Sequence, residues 1–214
     1  MAAGPLFVVG FTAIGASRPG YDWRRHAVSS LAAGRAGWVQ RANFVLTGAL
    51  YCIATRGLAR SPKQGATARV VPALILGVGV GLVGSGLFVT DPVAGFPPEG
   101  PDHNGSDGSP SAPTRGGMLH NLCAIPIFAG IPIAAMTCAT SAARRRESRW
   151  ASYSAGSALG MTLAFARFGA AFGGAPRLAG RGGLWQRISI AVGFGWLSAL
   201  SFRTLSLLCK SRRT

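Results

Sequence analysis

Val70-Val71-Pro72-Ala73-Leu74-Ile75-Leu76-Gly77-Val78-Gly79-Val80-Gly81-Leu82-Val83-Gly84-Ser85-Gly86-Leu87-Phe88-Val89-Thr90 contains no charged residue. Its only polar side chains are Ser85 and Thr90. A bilayer's hydrocarbon core is about 30 Å thick and takes about 20 mostly apolar residues per helix. At about 1.5 Å of rise per residue, residues 70–90 are long enough to cross it. Four further stretches read the same way: residues 42–60, 118–142, 151–172 and 184–208. The connectors hold what these stretches lack. They are Ser61-Pro62-Lys63-Gln64-Gly65, a Pro/Gly/Asp-rich stretch at 92–117, Arg144-Arg145-Arg146-Glu147, and a glycine-rich stretch at 173–183. Residues 1–16 are also apolar, but at about 1.5 Å each they reach only about 24 Å. No basic segment precedes them, so a first span with a clipped start is expected rather than a signal peptide.

Composition agrees with that reading. Of 214 residues, 49% are hydrophobic and 13% charged, and the mean hydropathy is +0.32. Soluble domains carry about 25% charged residues. The deficit excludes a disordered chain and argues against a soluble enzyme of this length. The 31 glycines follow no three-residue period, which excludes collagen. Lys and Arg number 22 against 6 acidic residues, a formal charge of +16. Such a balance points to nucleic acid or to a membrane surface. The arginines cluster between apolar runs and no nucleic-acid motif is present, so membrane lipids are the expected partners and nucleic acid is not. The expected fold is an all-α, polytopic bundle of six transmembrane helices in a single domain over residues 1–214. A short interfacial helix is expected at residues 22–34.

Orientation is set by Lys and Arg near the span ends. Arg56, Arg60, Lys63, Arg69, Arg144, Arg145, Arg146, Arg149, Lys210, Arg212 and Arg213 fall on one side. Arg18, Arg24, Arg25, Arg35, Arg41, Arg115, Arg177, Arg181 and Arg187 fall on the other. Eleven against nine makes the first side, with the C-terminus, cytoplasmic. Cys52, Cys123, Cys138 and Cys209 lie in or against spans without paired spacing, so no disulfide framework is expected. Trp23, Trp38, Trp150 and Trp185 lie near span ends, where aromatic belts form.

Ionisable groups in or beside spans are costly, and by default they are functional candidates. His26, Asp91, His120, Arg167 and Arg187 all project to the outer face in this topology. On a helix over 22–34, Ser29 and Ser30 would lie three and four residues from His26, so a hydroxyl and an imidazole would be neighbours. His26, Ser29, Asp91 and His120 are therefore candidates for nucleophilic or acid–base catalysis. His26, Asp91 and His120 also suit a zinc ion with water as its fourth ligand. Arg167 and Arg187 suit a phosphate or carboxylate at head-group depth. The bland alternative is that Asp91-Pro92 stops a helix, that the arginines snorkel to head groups, and that Asn43 and Asn121 bond between helices. Gly77, Gly79, Gly81, Gly84 and Gly86 read as a packing face, not a phosphate loop. His103, in the Pro/Gly/Ser/Asp-rich stretch, reads as a solvated loop residue.

Taken in order, Arg18-Pro19-Gly20-Tyr21-Asp22, His26, Ser29, Leu31, Gly37-Trp38 and Asn43 form one set of motifs. Gly86-Leu87-Phe88 with Asp91-Pro92, His120, and Gly183-Leu184-Trp185-Gln186-Arg187 form a second. Together they resemble a bacterial six-helix integral membrane family catalogued as domain of unknown function 998. The resemblance runs from about residue 18 to 208. It implies six helices and a bacterial plasma membrane, brings no established activity, and carries over His26, Ser29, Asp91, His120 and Arg187. The stretch at 94–117 is unlike a tight family connection and reads as an insertion. The His/Ser/Asp pattern is also loosely similar to membrane-embedded ceramidase-like hydrolases with histidine-bound zinc, but no HxxxH pair stands in the last helix. Two functions are thus expected: binding of a lipid or small ligand in an outer-leaflet polar pocket, or metal-assisted hydrolysis of a lipid head group.

Overall fold

The computed structural model describes residues 2–59, 66–92, 95–97 and 112–211. Among the described residues the elements are helices: α1 Ala3–Ser17, α2 Gly37–Ala59, α3 Ala66–Leu87, α4 Arg115–Phe128, α5 Gly130–Arg144, α6 Ser148–Phe172 and α7 Gly182–Ser211. Two short 3-10 turns, Ser29–Ala32 and Pro176–Leu178, precede α2 and α7. The connector at 60–65, His103 with most of the expected insertion, and Arg212 and Arg213 lie outside the described residues.

Among the described residues, three segments are long and apolar enough to cross a membrane: Thr67–Leu87, Arg115–Arg144 and Gly182–Cys209. Apolar side chains also face outward all around the bundle. Leu46, Ile53, Val80, Leu122 and Phe202 are each about 60% exposed or more, as a surface solvated by lipid chains rather than water would require. Inside, Phe7, Phe11, Leu82, Ile131, Met161, Phe194 and Trp196 are fully buried and form one core.

Small residues and single hydrogen bonds fix the helix pairs, as expected where lipid gives helices no hydrophobic reason to associate. Between α2 and α3, a side chain on Gly48 would strike the Gly79 carbonyl and Val83, and one on Gly79 would strike Cys52 and Gly48. Gly86 lies against the Arg41 carbonyl and Phe44 in the same interface. Gly81 and Gly84 turn instead to α4, against Cys123 and Pro126. The glycine run is thus not one packing face but two. Across α6 and α7, Ser189 donates to the Met161 carbonyl at 3.0 Å and Trp196 Nε1 to Ser154 at 3.1 Å. These pairings run antiparallel throughout. They gather the C-terminal ends of α1, α3 and α6 with the N-terminal ends of α2, α4 and α7.

Two expectations are corrected. The stretch at 118–142 is not one continuous helix: α4 stops at Phe128 and α5 starts at Gly130. Pro126 and Pro132 have no N–H to donate to the carbonyls four residues back, and Gly130 adds freedom at the break. The segment at 22–34 is not an interfacial helix either. It is a turn followed by the 3-10 turn Ser29–Ala32. Ala27, Val28, Leu31, Ala32 and Ala33 are buried rather than lying along a surface. Their spacing supports no clean amphipathic face, and Gly34, at φ 73°, ends the turn in a conformation other residues resist.

Substitution at two glycines separates packing from propensity. Gly79→Val should cost about 1–3 kcal/mol by overpacking the α2–α3 interface. Gly57→Ala, where a side chain meets nothing within 4 Å, should be neutral or stabilise by up to about 1 kcal/mol. Thermal melts of the detergent-solubilised variants measure both.

Candidate functional site

The polar residues of the gathered helix ends form two separate arrangements. The first is a docked loop. After α1 the chain turns through Arg18–Val28 and lies across the start of α7. The early N–H groups of any helix have no partner within it. Here Gly183 N donates to the Arg25 carbonyl at 3.3 Å and Leu184 N to the Arg24 carbonyl at 2.9 Å. One turn on, Gln186 accepts from Val28 N through Oε1 at 2.6 Å. A side chain at Gly183 would collide with the His26 and Trp23 carbonyls, so only glycine allows the loop so close.

Arg187 holds the same loop from beneath. It donates to Tyr21 Oη at 2.8 Å and to the His26 carbonyl at 3.5 Å. Its guanidinium lies 5.3 Å from the Phe11 ring centre and 5.4 Å from that of Tyr21, a placement that favours a cation. Tyr21 reaches the carbonyls of His26 and Ala27 at 3.1 and 3.0 Å. Burial pushes its phenol above the usual 10.0 despite the pull of Arg187, so it stays protonated and able to donate. The His26 ring stacks on Phe96 at 5.2 Å, and its Nδ1 accepts from Asp22 N at 2.9 Å. Arg18 lies over the Phe96 ring, 5.6 Å from its centre, and donates to the Ala33 carbonyl at 2.8 Å.

The second arrangement is a cavity of about 610 Å³ below the docked loop. Its walls come from all seven helices, with Val28 and Ser29 of the loop as part of the lining. Phe7, Phe44, Phe128, Phe165, Phe168 and Phe194 make it aromatic. Its polar side chains are Ser29, Ser85, His120, Asn121, Thr162 and Gln186. The exposed lining residues, among them Asn121, Ile125, Ile133 and Thr162, lie on α4, α5 and α6. The cavity therefore opens sideways, on the face where the α4–α5 break parts α4 from α6. Phe128 and Phe165 stack across this gap with ring centres 4.0 Å apart.

His120 is buried against the end of α3. Its Nδ1 lies 3.1 Å from the Ser85 carbonyl and 2.9 Å from the Phe88 carbonyl. Both partners can only accept, so Nδ1 carries a proton, and in the neutral imidazole Nε2 keeps its lone pair. Ser85 Oγ is buried and has no hydrogen-bond partner.

The sequence-derived candidates fall as follows. His26 and Arg187 belong to the docked loop. Ser29 and His120 line the cavity, and Ser29 is not aligned with His26 on any helix. Asp91 lies apart from both, accepting from Thr114 N at 3.1 Å and from the Thr114 hydroxyl at the start of α4. It pairs with neither Arg167 nor Arg187. Arg167 is exposed and lies 5.0 Å from the Trp185 ring centre. Among the described residues no three His, Cys, Asp or Glu side chains group as a metal ion requires. His26, Asp91 and His120, with these separate partners, do not fit one zinc ion. Asn43 does bond between helices, donating to the Phe7 carbonyl at 3.2 Å. No disulfide joins any two of the four cysteines.

Sequence reasoning missed Tyr21, Ser85 and Gln186 as site residues. Tyr21 and Gln186 stand inside motifs that were legible, beside His26 and Arg187. Ser85 gave only the faint signal of one hydroxyl in an apolar run.

Fold and site define an all-α bundle with membrane-crossing helices and a side-opening apolar cavity under a docked loop. The family model described as "Protein of unknown function (DUF998)" matches residues 1–203, and the chain belongs to that family. No curated protein and no solved structure matches it.

If the loop motifs serve docking, their loss should appear as lost stability. Tyr21→Phe should cost about 1–3 kcal/mol by removing the hydroxyl that receives from Arg187 and donates to the His26 and Ala27 carbonyls. Gly183→Ala should cost more, because backbone must move. Denaturant or thermal unfolding in detergent measures both.

Proposed function

We propose that this protein is a multi-pass component of the bacterial plasma membrane that holds a lipid or small amphiphile in the α4–α6 cavity. The cavity itself carries the reading. Its volume of about 610 Å³ is that of a small-molecule site, and such sites pair apolar walls with a few placed polar groups. The sideways opening suits a ligand that arrives from the bilayer.

In this reading α1, α2, α3, the α4–α5 pair, α6 and α7 form six spans. Arg144, Arg145, Arg146 and Arg149 mark the cytoplasmic side, with the C-terminus. The cavity then lies in the outer half of the membrane, beneath the docked loop. Arg187 supports the loop rather than meeting the ligand. His120, Ser85 and Gln186 are the groups a head group would reach.

Native mass spectrometry of protein released from membranes in mild detergent tests the reading. The wild type should retain a lipid-sized adduct, and Ala124→Trp, which fills the cavity from α4, should lose at least nine-tenths of it. Equal adduct on both proteins would refute the cavity as the site. Release of free head group from added phospholipid, abolished by His120→Ala, would favour the alternative of a lipid head-group hydrolase.

A further inference from the structure

We infer that the ligand of this cavity is an uncharged, long-chain amphiphile whose head is a hydroxyl; this rests on the cavity being a ligand site. Charge is the first observation. Among the described residues that line the cavity there is no Arg, Lys, Asp or Glu. The basic residues near it are turned to other work: Arg187 to Tyr21 and His26, Arg41 to the Gly86 carbonyl at 3.0 Å, and Arg18 to Ala33. A phosphate or carboxylate entering here would lose its water and meet no counter-charge.

The second observation is the hydrogen-bonding character of the polar groups. His120 is fixed with its proton on Nδ1, so Nε2 can only accept. Ser85, 1% exposed, has an Oγ with no partner. Gln186 spends Oε1 on Val28 N, and none of the hydrogen bonds described for it uses Nε2. An acceptor and two groups able to donate on the walls of one cavity suit a hydroxyl, which gives one hydrogen bond and receives others. A carbonyl head would leave His120 Nε2 unanswered, and a charged amine would find only neutral acceptors and no counter-charge among the described lining residues.

Size and wall chemistry complete the match. If each non-hydrogen atom takes about the 30 Å³ that a water occupies in the liquid, the cavity holds about 20 of them. The phenylalanine walls offer nothing polar to the rest of such a chain.

The test compares two probes with the same twenty-carbon prenyl chain, geranylgeraniol and geranylgeranyl monophosphate. Binding to the full-length protein in detergent is read by thermal shift and native mass spectrometry. The alcohol should bind one to one and at least tenfold more tightly than the phosphate. Ser85→Ala should leave the ligand-free melting temperature unchanged or raised, since it removes an unpaired buried hydroxyl. It should also weaken the alcohol by about three- to tenfold, the worth of one neutral hydrogen bond. Phosphate binding as tight as alcohol binding would overturn the uncharged head while leaving the cavity as a ligand site. Alcohol binding that Ser85→Ala does not change would overturn the polar seat. Failure of both probes, with no lipid adduct retained from membranes, would overturn the ligand site itself.

Discussion

The N-terminal turn of α7 presents backbone N–H groups where little water is available, and the outer end of the molecule is organised around satisfying them. The carbonyls of Arg24 and Arg25 do so. An unpaired buried donor costs about 1–3 kcal/mol, more where no water reaches it. That constraint draws the loop from α1 across to the last helix, far along the chain. Gly183, Gln186 and Arg187 are then required in that order. One lets the backbone approach, one receives the Val28 amide, and one sits under the Tyr21 and His26 carbonyl side of the loop.

Because the loop is held there, it covers the upper end of the bundle and contributes Val28 and Ser29 to the cavity below. The second determinant of the cavity is the interruption at Ala129. An unbroken helix would continue the close packing that α4 makes on α3 and α5 on α6. The prolines at 126 and 132 instead let α5 pack closely on α6 while α4 stays on α3, which both halves share, and the space that opens is walled by phenylalanines. His120 is fixed at one side of that space by the free carbonyls at the end of α3. Helix-end satisfaction thus sets both the position of the loop and the tautomer of a cavity side chain.

The cluster of polar residues at one end of the bundle invites a catalytic reading, and the geometry divides it. Arg187, Tyr21, His26 and Arg18 form a support in which each arginine lies over an aromatic ring and Arg187, Tyr21 and Arg18 each donate to a backbone carbonyl. Asp91 accepts from the backbone and side chain of Thr114 at the start of α4, where a carboxylate is favoured by the helix dipole. What remains for a ligand is small, uncharged and inside the cavity. Polar residues concentrated at one membrane face are therefore as much a sign of how helix ends are closed in lipid as of chemistry.

The sequence by itself determined the all-α class and the apolar segments, because a span must exceed a fixed length without charge. It also determined which helix ends meet, because antiparallel neighbours alternate along the chain. Family membership was legible from the order of short motifs. The break inside 118–142 was signalled by Pro126 and Pro132, yet hydropathy averages over it. Only the tertiary structure decided that residues 22–34 fold inward rather than along the surface, since burial depends on the space that α1, α2 and α7 leave between them. It alone separated His26 from His120 and Asp91, because topology assigns residues to an end of the bundle but not to a neighbour within it. The cavity was likewise invisible beforehand: a void is a property of how helices diverge, and no single residue encodes it.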